Sequence, residues 1–205
     1  SNIPIARGLK SSSVAANAIA LATVAALNKS SDDLTIVNLG VDGAVDAKVT
    51  ITGAFDDACA SYFGGVVITD NVKRSIVKRF VISKDLTILF HIPAKKTYTS
   101  SSNVDRMKGV AELVKIAYEE ALKGNYWSAL TLNGLIYSSA LGYNPSIALD
   151  ALMAGALAAG LSGKGPAVTA GVPSEKVDSV KHVWQAYEGD ILQARVNHEK
   201  AKVVS

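Results

Sequence analysis

Apolar residues recur at helical spacing along residues 13–28, and again as Leu34, Val37, Val41, Ala44 and Val45 within residues 32–48. Both stretches predict amphipathic helices. Ser11, Ser12 and Ser13 offer N-cap hydroxyls to the first. Asp32 and Asp33 open the second, where the helix dipole favours negative charge. Residues 55–62 predict a short helix that stops at Gly64 and Gly65. The period then shortens. Residues 66–69, 75–82 and 86–92 are β-branched runs separated by Asp-Asn and Ser-Lys-Asp turns, and they predict strands of one antiparallel sheet.

Helical spacing returns over residues 104–122 and 125–141, joined around Gly124, and a further helix is expected over 146–159 after Asn144 and Pro145. A Gly-rich loop at 160–166 leads into a strand at 167–172. Ser174 is placed to cap a helix running to 187, and residues 191–196 form the last strand. Strand, helices, strand, helix, strand over 86–197 is the succession of a split βαβ, ferredoxin-like half, so the class is α+β.

Composition narrows the function. Apolar residues make up 49% and charged residues 19%, which excludes intrinsic disorder. The lone Cys59 excludes a disulfide scaffold and fits a reducing, cytoplasmic setting. With 21 Lys+Arg against 18 Asp+Glu the net charge is +3, and no run of five basic residues occurs. No nucleic-acid partner is therefore expected. Nor is a membrane partner: the best apolar stretches, 15–27 and 148–161, are short and broken by Asn17, Thr23 and Asp150. The chain starts at Ser1 without Met, and a dense motif begins three residues later, so an N-terminal portion is expected to be missing.

That motif, Pro-Ile-Ala-Arg-Gly-Leu-Lys-Ser-Ser-Ser at 4–13, is a Gly/Ser loop running straight into a helix. Free N–H groups at a helix start, three hydroxyls and the Lys10 ammonium suit a phosphate, and Gly8 allows close backbone approach. A Ser-capped helix after a turn accounts for the same residues. The Walker A spacing is absent. Gly-Leu-Ser-Gly-Lys-Gly-Pro at 160–166 is a second Gly-rich segment, which by itself describes a helix end and a turn. Asp56 and Asp57 sit in the first turn of the short helix. One could act as a general base, although acids at a helix N-terminus are also ordinary stabilisers. Successive helical residues diverge by about 100°, so at most one of them can face a reaction centre.

Taken together, residues 4–13, 53–65 and 161–166 resemble, in order and spacing, the three successive motifs of the GHMP kinases, the superfamily of galactokinase, homoserine kinase and mevalonate kinase. The first two are most similar to those of the archaeal type of shikimate kinase. The resemblance implies the GHMP fold, with residues 1–83 as the remainder of an N-terminal ATP-binding domain of the ribosomal protein S5 domain 2-like type. Residues 84–205 would be the ferredoxin-like C-terminal domain. It implies ATP and Mg²⁺, with transfer of a phosphoryl group to the 3-hydroxyl of shikimate; homoserine or mevalonate as acceptor, or a non-catalytic ligand-binding homologue, are the alternatives.

By the same resemblance Arg7, Gly8, Leu9, Lys10, Ser11, Ser12 and Ser13 would wrap the ATP phosphates, with Ser162, Gly163, Lys164 and Gly165 as the later glycine loop. Counting back from Gly64, Asp57 falls at the family's catalytic aspartate, with Asp56 one step away. Ser12 and Asp46 are the implied Mg²⁺ ligands. A shikimate carboxylate calls for Arg or Lys, and Lys95 and Arg106, flanking the polar loop at 97–103, are the candidates; a solvated surface loop accounts for the same residues. His91 is expected in the core, and His182 and His198 at the surface. A homodimer is a further expectation.

Overall fold

The computed structural model describes residues 3–5, 7–50, 53–94 and 104–204. The chain falls into two compact units: residues 10–81 with the ends 1–5 and 197–205, and residues 82–196 with the short segment 6–9.

The first unit begins with α1 (Ser11–Ala26) and α2 (Asp33–Asp46). Asp32 caps α2 as its residue type suggests, its carboxylate accepting from the Thr35 amide at 3.0 Å. The second helix returns along the first: a side chain at Gly40 would stand 3.2 Å from the Ala16 carbonyl carbon, so glycine is what allows this approach. The helix α3 (Phe55–Phe63) buries Phe55, Ala58, Cys59, Tyr62 and Phe63 against Ile36, Val37 and Val41 of α2. It ends at Gly64, and a hairpin of β1 (Val66–Asp70) and β2 (Ser75–Phe80) follows. The chain's C-terminal segment returns to this unit. The Gly65 amide donates to the Asn197 carbonyl at 2.8 Å, and the Ala201 amide to the Tyr62 carbonyl at 2.6 Å.

The second unit is built on a four-stranded antiparallel sheet in the order β4-β5-β3-β6. Its elements are β3 (Leu86–Ile92), α4 (Val104–Gly109), α5 (Ala111–Lys123), α6 (Tyr126–Leu141), α7 (Ser146–Met153), β4 (Ala158–Leu161), β5 (Val168–Pro173), a 3₁₀ turn at Ser174–Lys176, α8 (Val177–Trp184) and β6 (Asp190–Arg195). With the helices α4 to α7 taken as one crossover, this is the βαββαβ succession of a ferredoxin-like domain. Its core gathers Leu89, Ala151, Ala159, Val168, Ala170, Val172, Val180 and Trp184.

Several sequence expectations are corrected. The run 86–92 does not join 66–69 and 75–82 in one sheet, because β3 carries β5 on one side and β6 on the other and has no edge left for β2. The helix expected over 146–159 ends at Met153. Gly155 then takes φ +105, and Ala158–Leu161 is a strand paired with β5. Gly160 and Leu161 therefore belong to a strand and only the residues after them to a loop. The helix expected over 104–122 is interrupted at Val110 (φ −106, ψ 10). Ser174 is no cap: its hydroxyl donates to the Asp85 carbonyl at 2.6 Å, tying the 3₁₀ turn to the start of β3. Ser11, Ser12 and Ser13 do not cap α1 either. Lys10 occupies the N-cap, with φ 61 and ψ 29, and the serines form the first turn. No helix among the described residues is long and apolar enough to cross a membrane.

His91 is 1% exposed, edge-on to the rings of Trp184 and Tyr187. Burial holds its pKa below the ordinary histidine range, against smaller opposing effects of the Tyr187 backbone and Asp190. The unfolded chain therefore binds a proton at higher pH than the folded one. His91's contribution to stability is complete above about 6.5 and is lost as pH falls through the folded value. Urea midpoints measured from pH 7 down to pH 5 should fall more steeply for the native protein than for His91→Leu. Parallel curves would show that His91 charges without cost.

Candidate active site

The two Gly-rich segments of the sequence meet within the second unit. The Ser162 hydroxyl donates to the Gly8 carbonyl at 2.8 Å, and the Ala167 amide to the Arg7 carbonyl at 3.2 Å. Gly8 has φ +81, and a side chain there would lie 2.6 Å from the Gly165 carbonyl oxygen, so only glycine fits. Gly163 and Gly165 also take positive φ (57 and 76) and turn the chain between β4 and β5. Lys164 is half-buried beside them and Leu9 is half-buried in the first segment. The Arg7 guanidinium donates to the Pro93 and Ala94 carbonyls, so its side chain braces the segment after β3.

Lys10 begins the part of the motif that belongs to the first unit. Its left-handed backbone turns the chain into α1, with the Ser13 and Val14 amides donating to the Lys10 carbonyl at 3.1 and 3.3 Å. The amides before them start the helix without intrahelical acceptors, as at any helix N-terminus. Ser12 is exposed and Ser13 buried. The Lys10 ammonium reaches Asp57, with Nζ 2.8 Å from Oδ2. That carboxylate is 17% exposed, held in the first turn of α3. Its neighbour Asp56 points elsewhere: it is exposed and accepts from Asn71 Nδ2 at 2.9 Å. The divergence expected of successive helical residues thus separates the two acids, and Asp57 is the one joined to Lys10 of the first Gly-rich segment.

Asp46, the last residue of α2, is exposed. Among the described residues no group of three or more His, Cys, Asp or Glu side chains could hold a metal ion. Arg106 is exposed on α4, and Lys95 lies outside the described residues.

Residues 1–65 match the family model of the GHMP kinases N terminal domain. A shikimate kinase of Methanosarcina acetivorans is 45% identical over 203 residues, which cover 98% of this chain and 68% of that protein. The chain belongs to the GHMP kinases, in their shikimate kinase branch. A second shikimate kinase, from Methanothrix thermoacetophila, is 45% identical over 203 residues, covering 99% of this chain and 70% of its own length. The crystal structure of a homoserine kinase from Cytophaga hutchinsonii superposes with a TM-score of 0.67 at 17% identity, over 97% of this chain and 69% of that one. That likeness is one of fold, and it agrees with the α+β architecture expected of the GHMP kinases.

Within this GHMP kinase, α3 is held by residues that sequence reasoning passed over. Asn17, noted only as a break in an apolar run, is 4% exposed and donates from Nδ2 to the Ala58 carbonyl at 2.8 Å and to Ser61 Oγ at 2.7 Å. The signal was available as a polar side chain on the buried stripe of α1, one turn beyond Ser13. At the other end of α3 the Tyr62 hydroxyl donates to Asp33 at 3.0 Å, and Lys200 pairs with the same carboxylate at 2.9 Å. The Lys200 hydrogen bond lowers the Asp33 pKa, while burial and Asp33 raise the Tyr62 phenol to about 12. Cys59 is fully buried in the same helix, and burial pushes its thiol to about 12, so it is a packing residue and not a nucleophile. His182 is exposed as expected, whereas His198 is half-buried against Gly65.

Proposed function

We infer that this GHMP kinase transfers the γ-phosphoryl group of ATP to the 3-hydroxyl of shikimate, yielding shikimate 3-phosphate for aromatic amino-acid synthesis. The observation that carries the phosphotransfer is the Asp57 carboxylate, mostly buried at the start of α3 and 2.8 Å from Lys10. The acceptor rests on the 45% identity to the Methanosarcina acetivorans shikimate kinase along nearly the whole chain.

The assignment of roles follows from chemistry. Asp57 orients the acceptor hydroxyl and takes its proton as the oxygen–phosphorus bond forms and ADP leaves. Gly8 and Leu9, with Lys10, Ser11, Ser12 and Ser13, receive the phosphates on backbone N–H groups, hydroxyls and an ammonium. Ser162, Gly163, Lys164 and Gly165 support this segment through the Ser162–Gly8 hydrogen bond. Arg106 and Lys95 are the basic residues assigned to the shikimate carboxylate.

The donor set also fits Mg²⁺. Hard oxygen ligands are present at Ser12 and Asp46, both exposed, and no cage of three acidic side chains exists among the described residues. Mg²⁺ takes one or two such protein oxygens and completes its shell with phosphates and water. When bound, Mg²⁺ would neutralise charge on the β- and γ-phosphates.

Measuring ADP release by the full-length protein with shikimate, homoserine and mevalonate in parallel tests the assignment. Turnover with shikimate at a kcat/KM at least tenfold above the other two is expected. Turnover with homoserine alone would reassign the acceptor. Nucleotide binding with no turnover on any of the three would make the protein a ligand-binding homologue.

A further inference from the structure

We propose that Asn17 is a positioning residue for phosphoryl transfer, fixing the rotation and register of α3 on α1 so that the Asp57 carboxylate is held where it can take the proton of the acceptor hydroxyl. The proposal rests on the assignment of Asp57 as the general base.

Asn17 is a polar side chain in the buried contact between α1 and α3. Its Nδ2 donates twice, to the carbonyl of Ala58, which follows Asp57 directly, and to the hydroxyl of Ser61 one turn further on. Its own Oδ1 is buried and has no hydrogen-bond partner among the described residues, and it lies 3.0 Å from where a side chain on Gly40 would begin. A buried acceptor left in that state is costly, and an apolar residue would avoid the cost. The two donated bonds are what an apolar residue at this place could not supply.

Their geometry says what they secure. Lys10, at the N-cap of α1, and Asn17, within the helix, both reach α3. Lys10 holds the Asp57 carboxylate at 2.8 Å, and Asn17 holds the very next carbonyl at 2.8 Å. One contact fixes the acid group and the other fixes the backbone that carries it. Together the two contacts oppose rolling or sliding of α3 against α1. The same α1 begins at the serines assigned to the phosphates, so Asn17 links the base to the phosphate-binding end through one rigid helix.

The positioning role can be separated from a structural one because removing Asn17 strands nothing. Ser61 Oγ already donates to the Ala58 carbonyl at 3.0 Å, so these two groups keep each other when the carboxamide is gone. Asn17→Leu, similar in volume, should therefore melt within a few degrees of the native protein.

The test is steady-state kinetics of the full-length enzyme with ATP and shikimate. Asn17→Leu is expected to lower kcat by roughly 10- to 100-fold, the order that follows from misplacing a reacting group by about 1 Å, with the KM for ATP changed less than about threefold. In an Asp57→Asn background the same substitution should cost nothing further, because Asn17 acts through Asp57. If the leucine does not fold, Asn17→Ala adds no bulk and carries the same expectation. A native kcat for Asn17→Leu, or an equal loss with and without Asp57, overturns the proposal. Those results leave the assignment of the base intact, whereas a fully active Asp57→Asn enzyme would remove that assignment itself.

Discussion

Replacing Asp57 by asparagine should lower kcat for shikimate phosphorylation at least about 100-fold while leaving ADP affinity within about threefold. Asparagine has nearly the shape of aspartate, and its carboxamide oxygen can still accept from Lys10, whose ammonium lies 2.8 Å from the native carboxylate. What it cannot do is take the acceptor's proton. A hundredfold loss corresponds to about 2.7 kcal/mol of barrier, within the range of a lost general base. Asp56→Asn supplies the control. Asp56 is exposed and tied to Asn71, so its loss should leave kcat within about twofold of native. ADP release gives kcat, and calorimetric titration with ADP gives the affinity. If the Asp57 variant turned over normally and the Asp56 variant did not, the base would be Asp56 and the Lys10–Asp57 pair a structural tie.

The sequence carried the local elements and the site's residue types, and it failed where tertiary contacts outweigh local preference. Asp32 at the start of α2 and Gly64 at the end of α3 act as their residue types predict. The same rule predicts caps at the serines 11–13. Lys10 takes that position instead, in a left-handed conformation that a lysine rarely adopts, and its ammonium is paired with Asp57 47 residues further on. No local pattern announces such a partner. The three β-branched runs are strands but lie in two sheets, since period-2 alternation reports a strand and not its neighbours. That both glycine segments serve the phosphates is implied by the family resemblance, whereas the Ser162–Gly8 bond that joins them is seen only in the structure. Asn17 illustrates the remaining gap: a polar residue in an apolar stripe signals a buried contact, but not with what.

The alanine-rich stretch near 158 shows most sharply how packing overrides propensity, and it leads to the second large effect. Gly134 lies inside α6, where replacing glycine with alanine ordinarily adds up to about 1 kcal/mol of helix stability. Here a side chain would stand 2.4 Å from the Gly160 Cα and 2.5 Å from the Leu161 nitrogen. Both are backbone atoms of β4, and neither can rotate away. In return, a side chain on Gly160 would meet the Leu130 carbonyl of α6 at 2.7 Å. Helix and strand are thus in backbone contact, which explains why fully buried Ala158, Ala159 and Gly160 form a strand despite their helical composition. Gly134→Ala must push α6 off the sheet, at an expected net cost of about 2–3 kcal/mol. For a chain of this size that is a fall in Tm of roughly 5–10 °C. Gly43→Ala on α2, where nothing lies within 4 Å, should move Tm slightly upward. The displacement should also reach function. Leu161 runs directly into Ser162, whose hydroxyl holds the Gly8 carbonyl at 2.8 Å, so the surviving folded enzyme should show a raised KM for ATP with kcat changed less. Differential scanning of both variants decides the matter: Gly134→Ala melting at or above the native temperature would mean that α6 and β4 separate without cost, and the close contact would not be what holds the second glycine loop in place.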